Sequence, residues 1–356
     1  MPSHCTRLAV AHGRSKEEHL WRERINVEMG LRRWMPAAAM VAAILLAMPL
    51  AVEAASCVSQ GELSAEDRAA LSDVTGRLTQ AVFAGDYGTL QAALLPAEAS
   101  AWEGIRSAVE QSAPLLKNGQ PKLRNFYLLD ASNQKATADT EFFCSNASGT
   151  LTVSMTMQAL PPGRYAVVLS DALGAPLAGQ MGMILAWDGT AWKLAGLSLR
   201  QGSFDGHDGV WYWSRARTLA SADGWSAWYM YEAARYLLVP VDFIGSPNLQ
   251  KLRQEQSQVV NGPQAAFPDS IPDGDRTWKV DAVLLEASLH EPDLAVVYDS
   301  TGVTDPAALR TEAITVLSAF LKSQPGLRQN FHGLWAVASK GGKQTPVMEL
   351  PMEKIP

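Results

Sequence analysis

Three histidines follow residue 56, and His207, His290 and His332 are the first places to look for proton transfer or metal binding. None belongs to a helical H-x-x-x-H pair or stands near a cysteine cluster, so the spacing supports no metal site, and no cofactor is expected. His207 lies in Phe204-Asp205-Gly206-His207-Asp208-Gly209, where an imidazole beside two carboxylates can form an acid-base site. The same Asp and Gly residues are also what a polar turn needs. His290 adjoins Glu291 and Pro292 at a strand end, and His332, between Phe331 and Trp335, reads as a partly buried residue near a strand. No G-x-S-x-G, phosphate-loop or dinucleotide fingerprint occurs, which leaves α/β-hydrolase, NTPase and Rossmann chemistry without support.

Carboxylates and phenols form the second set. An isomerase-type pocket needs a carboxylate to shuttle a proton and a phenol or protonated acid to stabilise an oxyanion. Tyr127, Asp139, Glu141, Tyr165 and Asp171 lie on or beside predicted strands. Alternation puts Asp139 and Glu141 on the face of Phe143, and Phe142 on the other. Aromatic residues form the third set: Trp187, Trp192, Trp211, Trp213, Trp225 and Trp228 crowd one stretch, where they either line a groove or pack a core. The candidate pocket residues are therefore Tyr127, Asp139, Tyr165, Trp187, Trp192, His207, Trp211 and Trp225, and none is given a catalytic role.

The elements that must position them begin at Ser64, an N-cap for a helix carrying Leu71, Val74, Leu78 and Val82 and ending at Gly85-Asp86. A short helix follows up to Pro96, and a third runs through Trp102, Ile105 and Val109 before Pro114. The period then falls to two. Leu123–Asp130, Lys135–Cys144, residues 151–159, Tyr165–Ser170, Met181–Trp187 and a strand from Trp192 read as an antiparallel meander with one buried face, turning at Asp188-Gly189. Gly179 and Gly182 point to a bulge or tight packing.

Helices followed by antiparallel strands, with Ala84-Gly85-Asp86-Tyr87 between the first helices and Trp187-Asp188-Gly189 leading to Trp192, resemble the ketosteroid-isomerase-like, nuclear-transport-factor-like superfamily over residues 64–200. That resemblance implies an α+β cone, a curved antiparallel sheet wrapped on helices with a pocket at its mouth. It does not choose among isomerases, dehydratases, carriers and structural modules.

Beyond the roll (57–205), residues 206–253 form an aromatic-rich helical hairpin that looks like a single unit of the tetratricopeptide kind. Residues 254–277 read as a linker, and 278–342 as a β-β-α-β unit with Asp305-Pro306 opening its helix. Residues 343–356, with Pro346, Pro351 and Pro356, read as an extended tail. The β-β-α-β unit is too small to bury a generous core alone, so docking on the hairpin is expected.

Arg32-Arg33, the apolar run Trp34–Val52 and Ala54-Ala55-Ser56 follow the order of a bacterial secretion signal, so residues 1–56 read as a leader whose true start is Met29. Cys57 then has three fates: lipidation, since Ala54-Ala55-Ser56-Cys57 resembles a lipobox, a disulfide with Cys144, or a free thiol like Cys144. Formal charge is −6 and the pI acidic, which excludes nucleic acid as a partner. The expected protein is exported, periplasmic or extracellular, and touches membrane only through a lipid on Cys57 or an uncleaved signal. It binds a small ligand or another envelope protein; the competing expectation is an isomerase or hydrolase with a buried carboxylate in the roll.

Overall fold

The computed structural model describes residues 55–356 apart from 147, 150–151, 176–178, 264–266 and 289; the secretion signal up to residue 54 lies outside the described residues. Helix α1 (Ala65–Ala84) starts where Ser64 Oγ accepts the Asp67 N–H at 3.0 Å, and ends where Gly85 turns left-handed at φ 66°. Helix α2 (Tyr87–Ala93) is capped by Asp86. Helix α3 (Trp102–Leu116) departs from the expected stop, because Pro114 sits inside its last turn. The chain keeps that turn since Leu115 and Leu116 beyond the proline are buried.

Strands β1 (Ser56–Ser59), β2 (Gln120–Asp130), β5 (Arg164–Leu173), β6 (Gly179–Trp187) and β7 (Trp192–Gln201) form one antiparallel sheet in that order. The expected meander is interrupted. Strands β3 (Ala138–Ser145) and β4 (Thr152–Leu160) leave the sheet as a hairpin and pair with β10 (Ile244–Gly245), so β2 meets β5 directly. The physical reason is legible in β5, where every residue from Tyr165 to Ser170 is buried, as a strand covered on both faces requires. Ala166 and Val168 face helices α1–α3 together with Met181, Met183, Leu185 and Trp192. Tyr165, Val167 and Leu169 face the β3–β4 layer with Phe142, Met155 and Met157. Cys57 on β1 is disulfide-bonded to Cys144 on β3, tying the two layers together, so Cys57 is not free for an acyl chain.

The short pair β8 (Ser203–Phe204) and β9 (His207–Asp208) leads into α4 (Gly209–Leu219) and α5 (Gly224–Leu238). Parts of the expected linker, residues 254–257, 269–273 and 276–277, are in regular elements, and a third helix extends the expected two-helix hairpin. Helix α6 (Pro247–Ser257) begins with Ser246 as cap and Pro247 in its first turn, and β11 (Asp269–Asp273) pairs with β12 (Arg276–Glu286). Leu252 and Gln256 are its buried contacts, Gln256 Nε2 reaching the Trp228 carbonyl at 3.3 Å and Glu232 at 2.6 Å. The expected tail is strand β15 (Lys343–Pro351), turned through Gly341-Gly342 (φ 56° and 81°) onto β14 (Gly333–Lys340). Its prolines are tolerated because it is an edge strand.

The second large sheet runs β11-β12-β13-β14-β15, with β13 (Asp293–Asp299) and β14 parallel and joined through α7 (Pro306–Ser323). Its core is shared with the hairpin: Tyr229, Met230 and Leu237 of α5 pack with Val283, Val296, Leu334, Leu317 and Phe320. Residues 55–356 form one compact unit, α+β in class. No helix among the described residues is long and apolar enough to cross a membrane.

Candidate functional site

Gln180 and Gln201 fix where the two sheets meet. Gln180 Nε2 donates to the Leu237 carbonyl at 2.6 Å and to the Gln201 carbonyl at 3.2 Å, and Gln201 Oε1 lies 3.0 Å from His290 Nδ1. Just past this junction the β8–β9 turn, with Asp205 and Gly206 at positive φ, delivers the chain to α4. Asp208 caps α4 by accepting the Trp211 N–H at 2.9 Å, which brings Trp211 back over His207. Their rings stack at 3.9 Å between centroids and 9° between planes, with Tyr212 edge-on to Trp211 at 4.8 Å. Trp211 remains 40% exposed.

These residues form one wall of an open cleft of about 440 Å³. Arg215 and Met230 continue that wall, and Glu291, Pro292, Gln329, Asn330, Phe331 and His332 form the other. Asn330 is pinned by donating to Ser226 Oγ and the Gly326 carbonyl, both at 3.1 Å, while its Oδ1 accepts from Arg215 Nη2 at 3.0 Å. The Arg215 guanidinium is thereby held at the cleft rather than swept by solvent.

His332 closes the opposite side. Its backbone N–H donates to the Pro292 carbonyl and its carbonyl accepts from Met352 N–H, fixing the ring's position. Nδ1 lies 3.0 Å from Asp293 Oδ1 and Nε2 2.9 Å from Glu291 Oε2. Asp293 is 1% exposed and takes a second bond, at 3.1 Å, from Trp335 Nε1. Partial burial works against a charged imidazolium, yet the Asp293 hydrogen bond and the charges of Asp293, Glu291 and Glu349 outweigh it and hold the His332 pKa above its ordinary value. Burial, and then the Asp293 charge, push the Glu349 carboxyl above the usual glutamate range.

No family model, curated protein or solved structure matches the chain.

The cleft unites only two of the pocket residues singled out from the sequence, His207 and Trp211, and adds His332. Tyr127 and Tyr165 are buried between the two layers of the roll, Tyr165 donating its hydroxyl to the Pro161 carbonyl at 2.9 Å. Asp139 accepts the Ala159 N–H at 2.8 Å on an exposed edge, and Asp171 pairs with Arg124. Trp187 and Trp192 meet edge to face at 5.6 Å beside the Asp188-Gly189 turn, and Trp225 packs against Phe320 and Phe267 in the second core. Met181, Met183, Leu185 and Trp192 pack the roll's helix-facing core, shallow clefts of about 490 and 640 Å³ open beside α1 at Thr75 and Phe126 and at Phe83 and Val109, and neither of the buried carboxylates among the described residues, Asp293 and Glu312, belongs to the roll. Sequence reasoning missed Asp293, Glu349 and Arg215. Asp293 and His332 are 39 residues apart and meet only because β13 and β14 run parallel. The one local signal was Glu291-Pro292-Asp293 at a strand start.

Proposed function

We propose that this chain is an exported bacterial envelope protein that binds a small polar ligand non-catalytically in the cleft between α4 and the loops before β13 and β14. The observation that carries the reading is the His207–Trp211 stack, a flat, half-exposed aromatic wall facing a cleft that also holds Arg215 and Glu291. A rigid aromatic surface beside a few fixed polar groups is the composition of a small-molecule site. The fitting ligand has one apolar or planar face for Trp211 and polar groups on its edge. Export is supported by the basic-then-apolar leader and by the Cys57–Cys144 disulfide, which persists in oxidising compartments. The ketosteroid-isomerase-like cone belongs to this proposal too, supported by three helices on one face of a five-stranded antiparallel sheet. In this reading the roll is scaffold, its core packed with side chains, and the second half carries the site.

A thermal-shift screen of sugars, amino acids and small dicarboxylates against the wild type and Trp211→Ala tests this. Compounds that raise the wild-type melting temperature and leave Trp211→Ala unmoved are expected. Stabilisation equal in both proteins places binding elsewhere and rejects the cleft.

A further inference from the structure

Three strand ends converge at one end of the second sheet. Asp293 opens β13, His332 immediately precedes β14, and Glu349 lies near the end of β15 directly across from Trp335. Because β13 and β14 are parallel and β15 returns antiparallel, the fold places a carboxylate, an imidazole and a second carboxylate side by side. One donor atom from each lies within 4.8 Å of the others. We propose that Asp293, His332 and Glu349 bind one divalent first-row transition-metal ion, with His332 Nδ1 and a carboxylate oxygen of each acid as ligands.

Four observations carry the assignment. The first is Glu349 Oε1, which is buried and has no hydrogen-bond partner among the described residues. A sealed carboxylate oxygen without a donor loses the solvation that a cation would replace. The second is the spacing of 3.0 Å between His332 Nδ1 and Asp293 Oδ1. Two ligands each about 2.0–2.2 Å from one ion and about 90° apart, as in five- or six-coordinate sites, stand about that far apart, and a tetrahedral ion needs them only about 0.4 Å wider.

The third is Gly333, where the backbone makes room. A Cβ there would come 2.6 Å from Glu349 Oε1 and 3.2 Å from Asp293 Oδ1, so a side chain at this position would fill the space between the two acids. The fourth is the surrounding shell. Trp335 Nε1 holds Asp293 Oδ2, leaving Oδ1 for the ion, and Glu291 Oε2 sits 2.9 Å from Nε2, placed to keep the ring's N–H there when a cation displaces the Nδ1 proton that bonds Asp293 in the ion-free site. An outer carboxylate that fixes the tautomer of a ligating histidine is the usual companion of such sites. Three carboxylates around one imidazole also leave a negative excess that a dication offsets. Imidazole with carboxylates suits zinc, manganese, iron or cobalt, and is a poor match for magnesium, which keeps its waters.

The site does not depend on an organic ligand in the cleft, and metal alone tests it. Purified protein is stripped with chelator, titrated calorimetrically with Zn²⁺, and followed by visible absorption with Co²⁺. One Zn²⁺ per chain is expected, with Glu349→Gln and His332→Ala each weakening binding at least about tenfold and removing the Co²⁺ bands. Glu349→Gln preserves shape on an edge strand, so it decides by itself should His332→Ala fail to fold. Absence of Zn²⁺ binding, or affinity unchanged in Glu349→Gln, overturns the proposal, as does equal competition by Mg²⁺.

Discussion

Glu255 shows how a single side chain organises the hairpin. Its carboxylate accepts from Trp213 Nε1 at 2.7 Å, from Arg217 Nε and Nη2 at 2.7 and 2.9 Å, and from the Tyr231 hydroxyl at 3.4 Å, joining α6 to α4 and α5. The Arg217 hydrogen bond outweighs partial burial and, with Trp213, holds the Glu255 pKa below the ordinary glutamate value. A depressed folded-state pKa adds stability above the unfolded value, and that increment disappears as pH falls through the folded one. Glu255→Gln is therefore expected to lower unfolding free energy by about 1–2 kcal/mol at pH 7, allowing for solvent screening, with a gap that narrows below the usual carboxylate range. Urea titrations at pH 7 and in mild acid measure it; a gap that stays constant with pH contradicts the assignment. At Gly182 a Cβ would lie 2.4 Å from Val241 Cγ1, so Gly182→Ala is expected to lower the urea midpoint by the equivalent of about 1–3 kcal/mol. Of the two sequence expectations at this glycine, bulge or tight packing, close packing is what the structure holds there.

Helix boundaries were the most legible elements because their signals are local. Ser64 and Asp305, legible as caps ahead of an apolar period, and Asp208, which the sequence offered only as part of a polar turn, each accept a backbone N–H three residues on. Asp305→Ala is expected to cost about 1 kcal/mol, read as a lower melting temperature with unchanged secondary structure by circular dichroism. Pairing was less legible, since alternation tells which face a residue takes but not which strand it meets. The β3–β4 hairpin illustrates this: Phe142 inward and Phe143 62% exposed follow the alternation, yet the hairpin lies on a different sheet from the one expected. Helix α6 was invisible for the opposite reason. Its buried contacts are Leu252 and the polar Gln256, held by hydrogen bonds that depend on tertiary contact. The same limit hid the acids around His332, whose partners arrive from separate strands.

Across the whole molecule, the disulfide and the junction set how the roll is held and where the cleft opens. Cys57 and Cys144 close a separation of 87 residues, clamping the edge strand β1 to the layer behind it. Cys57→Ser with Cys144→Ser is expected to destabilise by about 2–5 kcal/mol in urea unfolding, and a loss near zero contradicts that role. The roll then presents Gln180 and Gln201 to the hairpin and the loop before β13, and the cleft opens beyond that contact. The proposed function rests on that division: a roll whose core is packed with side chains on one side, an open aromatic and charged cleft on the other. The most direct measurement is the set of tryptophan indole N–H resonances, recorded with and without the compounds that raise the melting temperature. The account predicts that Trp211 shifts while Trp187, Trp192 and Trp225 stay in place. Shifts centred on Trp187 and Trp192, with Trp211 unmoved, would return the site to the roll and contradict it.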